Sequence, residues 1–505
     1  DGTLTVGGRY DAAPAEPIEA VLQRVDAGDT HRIPVKRHGR QYAVTLPAAA
    51  MPEFGRRQPL RDGEWKLTFC VGAMSVTPRY DEDRLAAGDG RRHQFGPKLY
   101  QFTAAGRDVP VLTVGPAMSL AARGRVQRRL LRELYYPRQQ RRGLRDEVAF
   151  VSFKGKQASD NPLGIAAELR RRGDTREHVW VVTDWSVPVP AGARAVLYGT
   201  EACWDALGRS AYIVSNDDMP TGYVKRPGQF YLQTWHGTPL KRIGFDLPEM
   251  KSVNGARYLA VLAEDITRWD MLLSPNPVST PILQRAFRFD GELLESGYPR
   301  NDLLVAGDAG AVAAYVRRRI GVPPGKRVVM YAPTWRENQF DASGRYRFDL
   351  RLDLQRAWQA LGDDYVILLR GHHQMADDVP AATRSGFVIN VTGYPDVAEL
   401  FLASDALITD YSSMMCDFAI TGRPMLFFTY DLAEYRDSVR GMNIDLEREA
   451  PGPLLATSDE VIDAIGWLGA ISGRYRDAYA AFVAKFCPLD DGKAGSRVCD
   501  RIFGG

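Results

Sequence analysis

Three of the seven histidines in this 505-residue chain, His236, His372 and His373, fall where an apolar run gives way to a turn. Imidazole takes up and releases a proton near neutral pH, so a histidine in such a place is a candidate acid or base. His236 lies in Gln233-Thr234-Trp235-His236-Gly237-Thr238-Pro239-Leu240-Lys241, directly after the apolar run 230–232. Gly237 permits a tight turn and Pro239 suits the first position of a helix. His236 is therefore predicted at the carboxyl end of a buried strand, just ahead of a helix, with Lys241 close by to meet an anion. Further polar groups follow other apolar runs: Thr334 and Arg336 after 328–332, Arg370 and His372 after 365–369, and Asp410, Ser412 and Ser413 after 406–409. Parallel strands deliver their carboxyl ends to one crevice, so these groups are predicted to meet there. Guanidinium groups, hydroxyls and the free N–H groups of a helix start suit a phosphate. Ser412 alone would read as an N-cap and a lone histidine as a hydrogen-bonded structural residue. Their concentration at strand ends favours chemistry.

Other chemistries find no support. There is no HxxH or HExxH spacing, no CxxC, no Walker A loop, no GxGxxG after a strand and no G-x-S-x-G elbow. Asp217-Asp218 could pass for a metal-binding pair, but in a loop after strand 211–215 it reads as a turn, so no metal site is expected. A net charge of +3 gives no general nucleic-acid role. Five scattered cysteines predict a reducing, cytoplasmic setting without disulfides. No run of 18 apolar residues occurs, so no membrane span is expected. The chain starts at Asp1, which leaves room for a preceding segment.

Four regions must position these residues. Residues 1–115 read as a small β-rich sandwich or barrel, with alternating runs at 42–46, 65–69 and 111–114. In the linker region, 116–146, the stretch 116–145 holds nine arginines against one acid, Glu133. Val126, Leu130, Leu131 and Leu134 fall there at helical spacing, and Pro137 is expected to end the helix. This is either a solvated connector or a helix lying on anionic lipid with Tyr135 and Tyr136 at the interface. From 147 to 322, and again from 323 to 505, apolar strands alternate with amphipathic helices. That pattern predicts two parallel sheets covered on both faces, parted at Gly321-Val-Pro-Pro-Gly325.

The chain resembles the CDP-glycerol:poly(glycerophosphate) glycerophosphotransferases, which build teichoic acids and related polyol-phosphate capsule polymers. The resemblance rests on six segments in the family's order: Ser152-Phe-Lys-Gly-Lys-Gln-Ala-Ser-Asp-Asn-Pro162, Gln233–Lys241, Glu295-Ser-Gly-Tyr-Pro-Arg-Asn-Asp302, Tyr331-Ala-Pro-Thr-Trp-Arg336, Leu369-Arg-Gly-His372 and Thr409-Asp-Tyr-Ser-Ser413. It implies a GT-B architecture of two Rossmann-like domains after the β-rich one. It implies CDP-glycerol as donor, CMP as leaving group, and a polyol-phosphate polymer or lipid-linked primer as acceptor. His236 and His372 match catalytic positions. Lys241, Arg300, Asn301, Asp302, Thr334, Arg336, Arg370, Asp410, Ser412 and Ser413 match substrate-binding ones. No cofactor and no divalent metal is required. The location implied is cytoplasmic, peripheral on the inner face of the membrane, and a homo-oligomer stays open. Residues 1–115 match no part of the family pattern. CDP-ribitol as donor, a nucleotide-sugar glycosyltransferase on the same fold, and a non-catalytic polymer-binding protein are the rival readings.

Overall fold

The computed structural model describes residues 2–9, 18–25, 29–71, 74–78, 92–105, 109–247, 253–334, 350–371, 385–436 and 441–504. Of the expected site residues, Arg336 and His372 lie outside this set, as does His373.

The N-terminal region forms an antiparallel sheet of nine strands between Leu4 and Pro116. The long strand Thr30–His38 pairs with Ile18–Arg24 through its first half and with Gln41–Leu46 through its second. The sheet thereby folds over one core that holds Leu22, Val44, Leu46, Trp65, Leu67, Tyr100 and Leu112. Alternation dictates this: Trp65, Leu67 and Phe69 of Gly63–Val71 are buried while their neighbours are not.

The basic region is helical over Leu120–Arg123 and, after an extended Gly124, from Arg125 to Gln140, so Pro137 does not end it. A π-helical turn, Leu131–Tyr135, widens the backbone, and Pro137 falls in the first turn of the following segment, Tyr136–Gln140. A missing N–H is tolerated at that position. The predicted apolar stripe also divides. Leu131 turns into the core with Tyr136, whereas Val126, Leu130 and Leu134 stay 73%, 44% and 53% exposed.

Two parallel α/β domains follow. The first sheet runs, edge to edge, Arg194–Leu197, Glu177–Val182, Arg145–Val151, Ser210–Ser215, Phe230–Gln233, Met271–Ser274 and Glu292–Glu295. The second runs Val388–Asn390, Tyr365–Leu369, Arg327–Tyr331, Ala406–Thr409, Met425–Phe428 and Leu454–Leu455. In each sheet chain order reverses beside the first strand, which creates a switch point at its carboxyl end. Two apolar layers cover each sheet, as expected for strands buried on both faces.

The domain boundary predicted at 322–323 is crossed twice. Helix Ala309–Ile320 sends Val316 and Ile320 into the core of the second domain. The last helix, Ala494–Ile502, returns to the first domain, where Val498 and Cys499 pack with Phe150 and Trp180. Apolar faces, and not the Gly-Pro linker, decide which sheet each helix covers. The β-rich region touches both α/β domains. Lys98 reaches Asp184 of the first at 2.6 Å, and Phe54 meets Tyr394 of the second edge-on at 5.3 Å.

Candidate active site

His236 stands at the carboxyl end of strand Phe230–Gln233, beside the switch point of the first sheet. No helix starts at Pro239. Instead the Leu240 amide turns back to the Thr238 carbonyl at 2.8 Å, and the segment then lies against the second domain. Lys241 bridges Met442, the Arg242 amide donates to the Gly441 carbonyl at 3.2 Å, and Asn443 Nδ2 donates to the carbonyls of Pro239 (2.9 Å) and Lys241 (3.1 Å). The Asn443 contacts span 204 and 202 positions, so a local helix signal could not compete with them.

The turn at 235–237 is held by side chains. The Trp235 amide donates to Gln233 Oε1 at 2.9 Å, and Asn161 Nδ2 donates to the Trp235 carbonyl at 3.2 Å. Arg300 Nη1 donates to the His236 carbonyl at 2.9 Å. The imidazole stacks on Trp235, with centroids 4.3 Å apart, and its Nδ1 lies 2.6 Å from the carbonyl oxygen of Asn216. A carbonyl only accepts, so Nδ1 carries the proton and donates it. The lone pair of the neutral ring then resides on Nε2. Among the described residues six non-glycine residues have positive φ: Trp235 lies in this turn, Phe153 sets its ring 5.7 Å from the imidazole, and Asp160 pairs with Arg300, which holds the turn. Such strain persists only where the surroundings over-determine it, and it gathers at functional sites.

The opposite lip is the switch point of the second sheet. Both carboxylate oxygens of Asp410 accept from the Thr334 amide, at 2.9 and 3.0 Å, which joins the ends of the first and fourth strands. Ser412 and Ser413 follow at the start of helix Met414–Ala419. That helix has six residues, so hydroxyls and free amides, not a long dipole, are what it offers an anion. Gly237 backs directly onto Ser413: a Cβ on Gly237 would lie 2.6 Å from Ser413 Oγ. The turn carrying His236 and the serine pair are therefore brought together across the cleft.

Arg370, at the end of strand Tyr365–Leu369, donates through Nη1 to the carbonyls of Val391 (3.2 Å) and Tyr394 (2.8 Å). Burial lowers its pKa to about 10, so it remains a cation at neutral pH. Arg300, Asn301 and Asp302 are engaged with protein groups. Arg300 pairs with Asp160 and Asp417, and Asn301 Nδ2 donates to Asp417 (3.0 Å) and Asp490 (3.1 Å). Asp302 caps the last helix by accepting from the amides of Ala494 (2.9 Å) and Gly495 (2.7 Å). Burial, with the charge of Asp417, pushes the Asp490 carboxyl up to about 7. Asp217 and Asp218 face Lys154 Nζ, at 3.4 and 3.0 Å.

The family model for CDP-glycerol:poly(glycerophosphate) glycerophosphotransferase matches residues 134–504. The chain belongs to this family. It is 40% identical over 363 residues to the teichoic acid poly(glycerol phosphate) polymerase of Bacillus subtilis, covering 71% of this chain and 49% of that protein. It is 39% identical over 364 residues to the teichoic acid glycerol-phosphate transferase of Staphylococcus aureus, covering 70% of this chain and 92% of that one. The solved structure of the wall teichoic acid polymerase TagF superposes with a TM-score of 0.70 at 35% identity, over 76% of this chain and 95% of that one. This chain thus spans about half the length of the Bacillus polymerase. The expected GT-B architecture holds for this glycerophosphotransferase-family chain, and its β-rich region lies ahead of the family match.

Reading motifs alone missed Asn216. It follows strand Ser210–Ser215, and Asn-Asp-Asp reads as a simple turn. The available signal was its place at the carboxyl end of the fourth strand, next to the switch point.

Proposed function

We propose that this protein transfers glycerol phosphate from CDP-glycerol to a hydroxyl of a poly(glycerol phosphate)-type chain or its lipid-linked primer, releasing CMP. The observation that carries the reading is His236, with Nδ1 tied to the Asn216 carbonyl and Nε2 left as the base, in a turn that meets Ser413 across the cleft. In the proposed step the acceptor oxygen attacks the phosphorus bearing glycerol in line with the departing CMP. The new O–P bond forms as the bond to CMP breaks, and Nε2 takes the hydroxyl proton. Lys241, Arg370, Thr334 and the Ser412–Ser413 amides and hydroxyls supply positive charge and hydrogen bonds to the two phosphates, and Asp410 holds the Thr334 amide in place. By family resemblance, Arg336 and His372 complete the donor side. With these cations the step calls for no divalent metal. The names of the two relatives support glycerol over ribitol.

The test is incubation with CDP-glycerol and a synthetic glycerol-phosphate primer in EDTA, read by mass spectrometry. CMP release together with primer extended by glycerol phosphate is expected. Extension only with CDP-ribitol, release of a nucleoside diphosphate from a nucleotide sugar, or donor binding without turnover would each replace the reading.

We further propose that the helical run 125–140 rests on an anionic membrane surface. No helix among the described residues is long and apolar enough to cross a membrane. Val126, Leu130 and Leu134 are nevertheless exposed, interleaved with Arg125, Arg128, Arg129 and Arg132. Each basic residue near such a surface contributes about 1 kcal/mol, so exchanging these four arginines for glutamine should weaken binding to phosphatidylglycerol vesicles by roughly 100-fold or more at low salt. Equal binding of the variant and the parent in a flotation assay would sink the proposal.

A further inference from the structure

Arg300 is buried, with 5% of its side chain exposed, yet it belongs to the cleft. Nη1 donates to Asp160 (2.8 Å) and to the carbonyl of His236 (2.9 Å). Nη2 donates to both carboxylate oxygens of Asp417 (3.2 and 2.9 Å). The guanidinium carbon lies 4.6 Å from the ring centroid of Tyr298, itself fully buried. Nε–H is buried and makes no hydrogen bond among the described residues, so no edge of the group opens toward a phosphate.

The partners belong to three elements. Asp160 opens helix Asp160–Arg171 of the first domain, at φ 65°. His236 is in the strained turn. Asp417 sits in helix Met414–Ala419 of the second domain, the helix that Ser412 and Ser413 lead into. One planar fork with fixed donor directions therefore joins the backbone of the proposed base to the element bearing the proposed phosphate donors. Asn301 adds a second donor to Asp417. A buried cation between two carboxylates is costly to assemble and gives direction in return, because every partner must be in place.

We infer that Arg300 is a positioning residue: it fixes the His236 turn against the Ser413 helix, so that docking of the two domains sets the base relative to the donor phosphates. The inference rests on the proposed role of His236. Lysine keeps the charge but cannot reach all three acceptors. Arg300→Lys should therefore lower kcat by about 10- to 100-fold, since displacements near 1 Å cost about that much. CDP-glycerol affinity, measured by calorimetry with Arg300→Lys placed in a His236→Ala background, should change by less than about threefold, because Arg300 has no open edge for the donor. If Arg300→Lys does not fold, Asp417→Asn, which keeps an acceptor oxygen for Asn301, carries the same expectation. Wild-type kcat in a folded variant overturns the inference. So does a loss of donor affinity of tenfold or more, which would make Arg300 a substrate contact. Turnover surviving in His236→Ala alone marks failure of the base assignment, whereas an inactive His236→Ala beside a fully active Arg300→Lys marks failure of this inference only.

Discussion

His236→Ala is expected to lower kcat for CMP release by roughly 1,000-fold while KM for CDP-glycerol stays within a few-fold, the signature of a lost general base. The magnitude follows from what remains. The donors expected to face the phosphates lie on the second domain and on Lys241, so ground-state binding should persist and only the proton acceptor is gone. The fold should persist as well. The imidazole is only half-buried, and the main chain of its turn is held by Gln233, Asn161 and Arg300, none of which needs the ring. His236→Asn is a useful companion, because its side chain is neutral and polar but too weakly basic to take the proton. Single-turnover CMP release should be equally slow in both. Near-wild-type turnover in either, with an unchanged melting curve, would remove His236 from the mechanism.

The central elements of the fold were legible because short apolar runs stand between strong punctuation. Tyr365–Leu369, Ala406–Thr409, Met425–Phe428 and helix Leu354–Leu361 fall where their residues place them. Buried parallel strands read as uninterrupted Val, Ile and Leu, and no competing pattern overlaps them. The misreadings have physical causes. Pro239 looks like a helix start, but the carbonyls around it are claimed by Asn443, far away in sequence. Pro137 looks like a helix end, but a π-turn before it moves the proline to a position where its missing N–H costs nothing. Helices 309–320 and 494–502 each lie on the sheet that the linker argument does not assign them to. Apart from the π-turn, these are contests between local propensity and long-range partners, and tertiary contacts prevailed. Within the site, the resemblance singled out Arg300 as a residue. Its commitment to Asp160, Asp417 and the His236 carbonyl required coordinates, because those partners are separated by 64 to 140 positions.

Lys98→Met should destabilise the protein by about 3–5 kcal/mol, the usual cost of breaking a buried ion pair from one side. Lys98 is fully buried, and its ammonium meets Asp62 at 2.9 Å and Asp184 at 2.6 Å. Asp184 also accepts from the amides of Asp62 (2.5 Å) and Ser186 (2.7 Å). Burial would raise the Asp184 carboxyl, but Lys98 and those amide donors outweigh it and hold the pKa below the usual carboxylate range, so it stays charged. Methionine nearly matches lysine in volume, so the cost is not a cavity. It is two carboxylates left facing each other without a cation. Neutralising them as well, in Lys98→Met/Asp62→Asn/Asp184→Asn, should recover much of the loss, because replacing a whole buried pair is far milder than removing half of it. Thermal unfolding and limited proteolysis between the β-rich region and residue 134 would read both effects. The family match begins only at residue 134, and every described group assigned to chemistry lies beyond it. CMP release by Lys98→Met, assayed below its unfolding transition, should therefore stay close to the parent's even as the β-rich region loosens. An unchanged transition would show that Lys98 does not hold the two together. A folded variant that has lost CMP release would mean that the β-rich region reaches the chemistry through its second contact, where Phe54 packs on Tyr394 and Arg61 Nη2 donates to the Gly393 carbonyl at 3.3 Å, in the loop whose carbonyls hold Arg370.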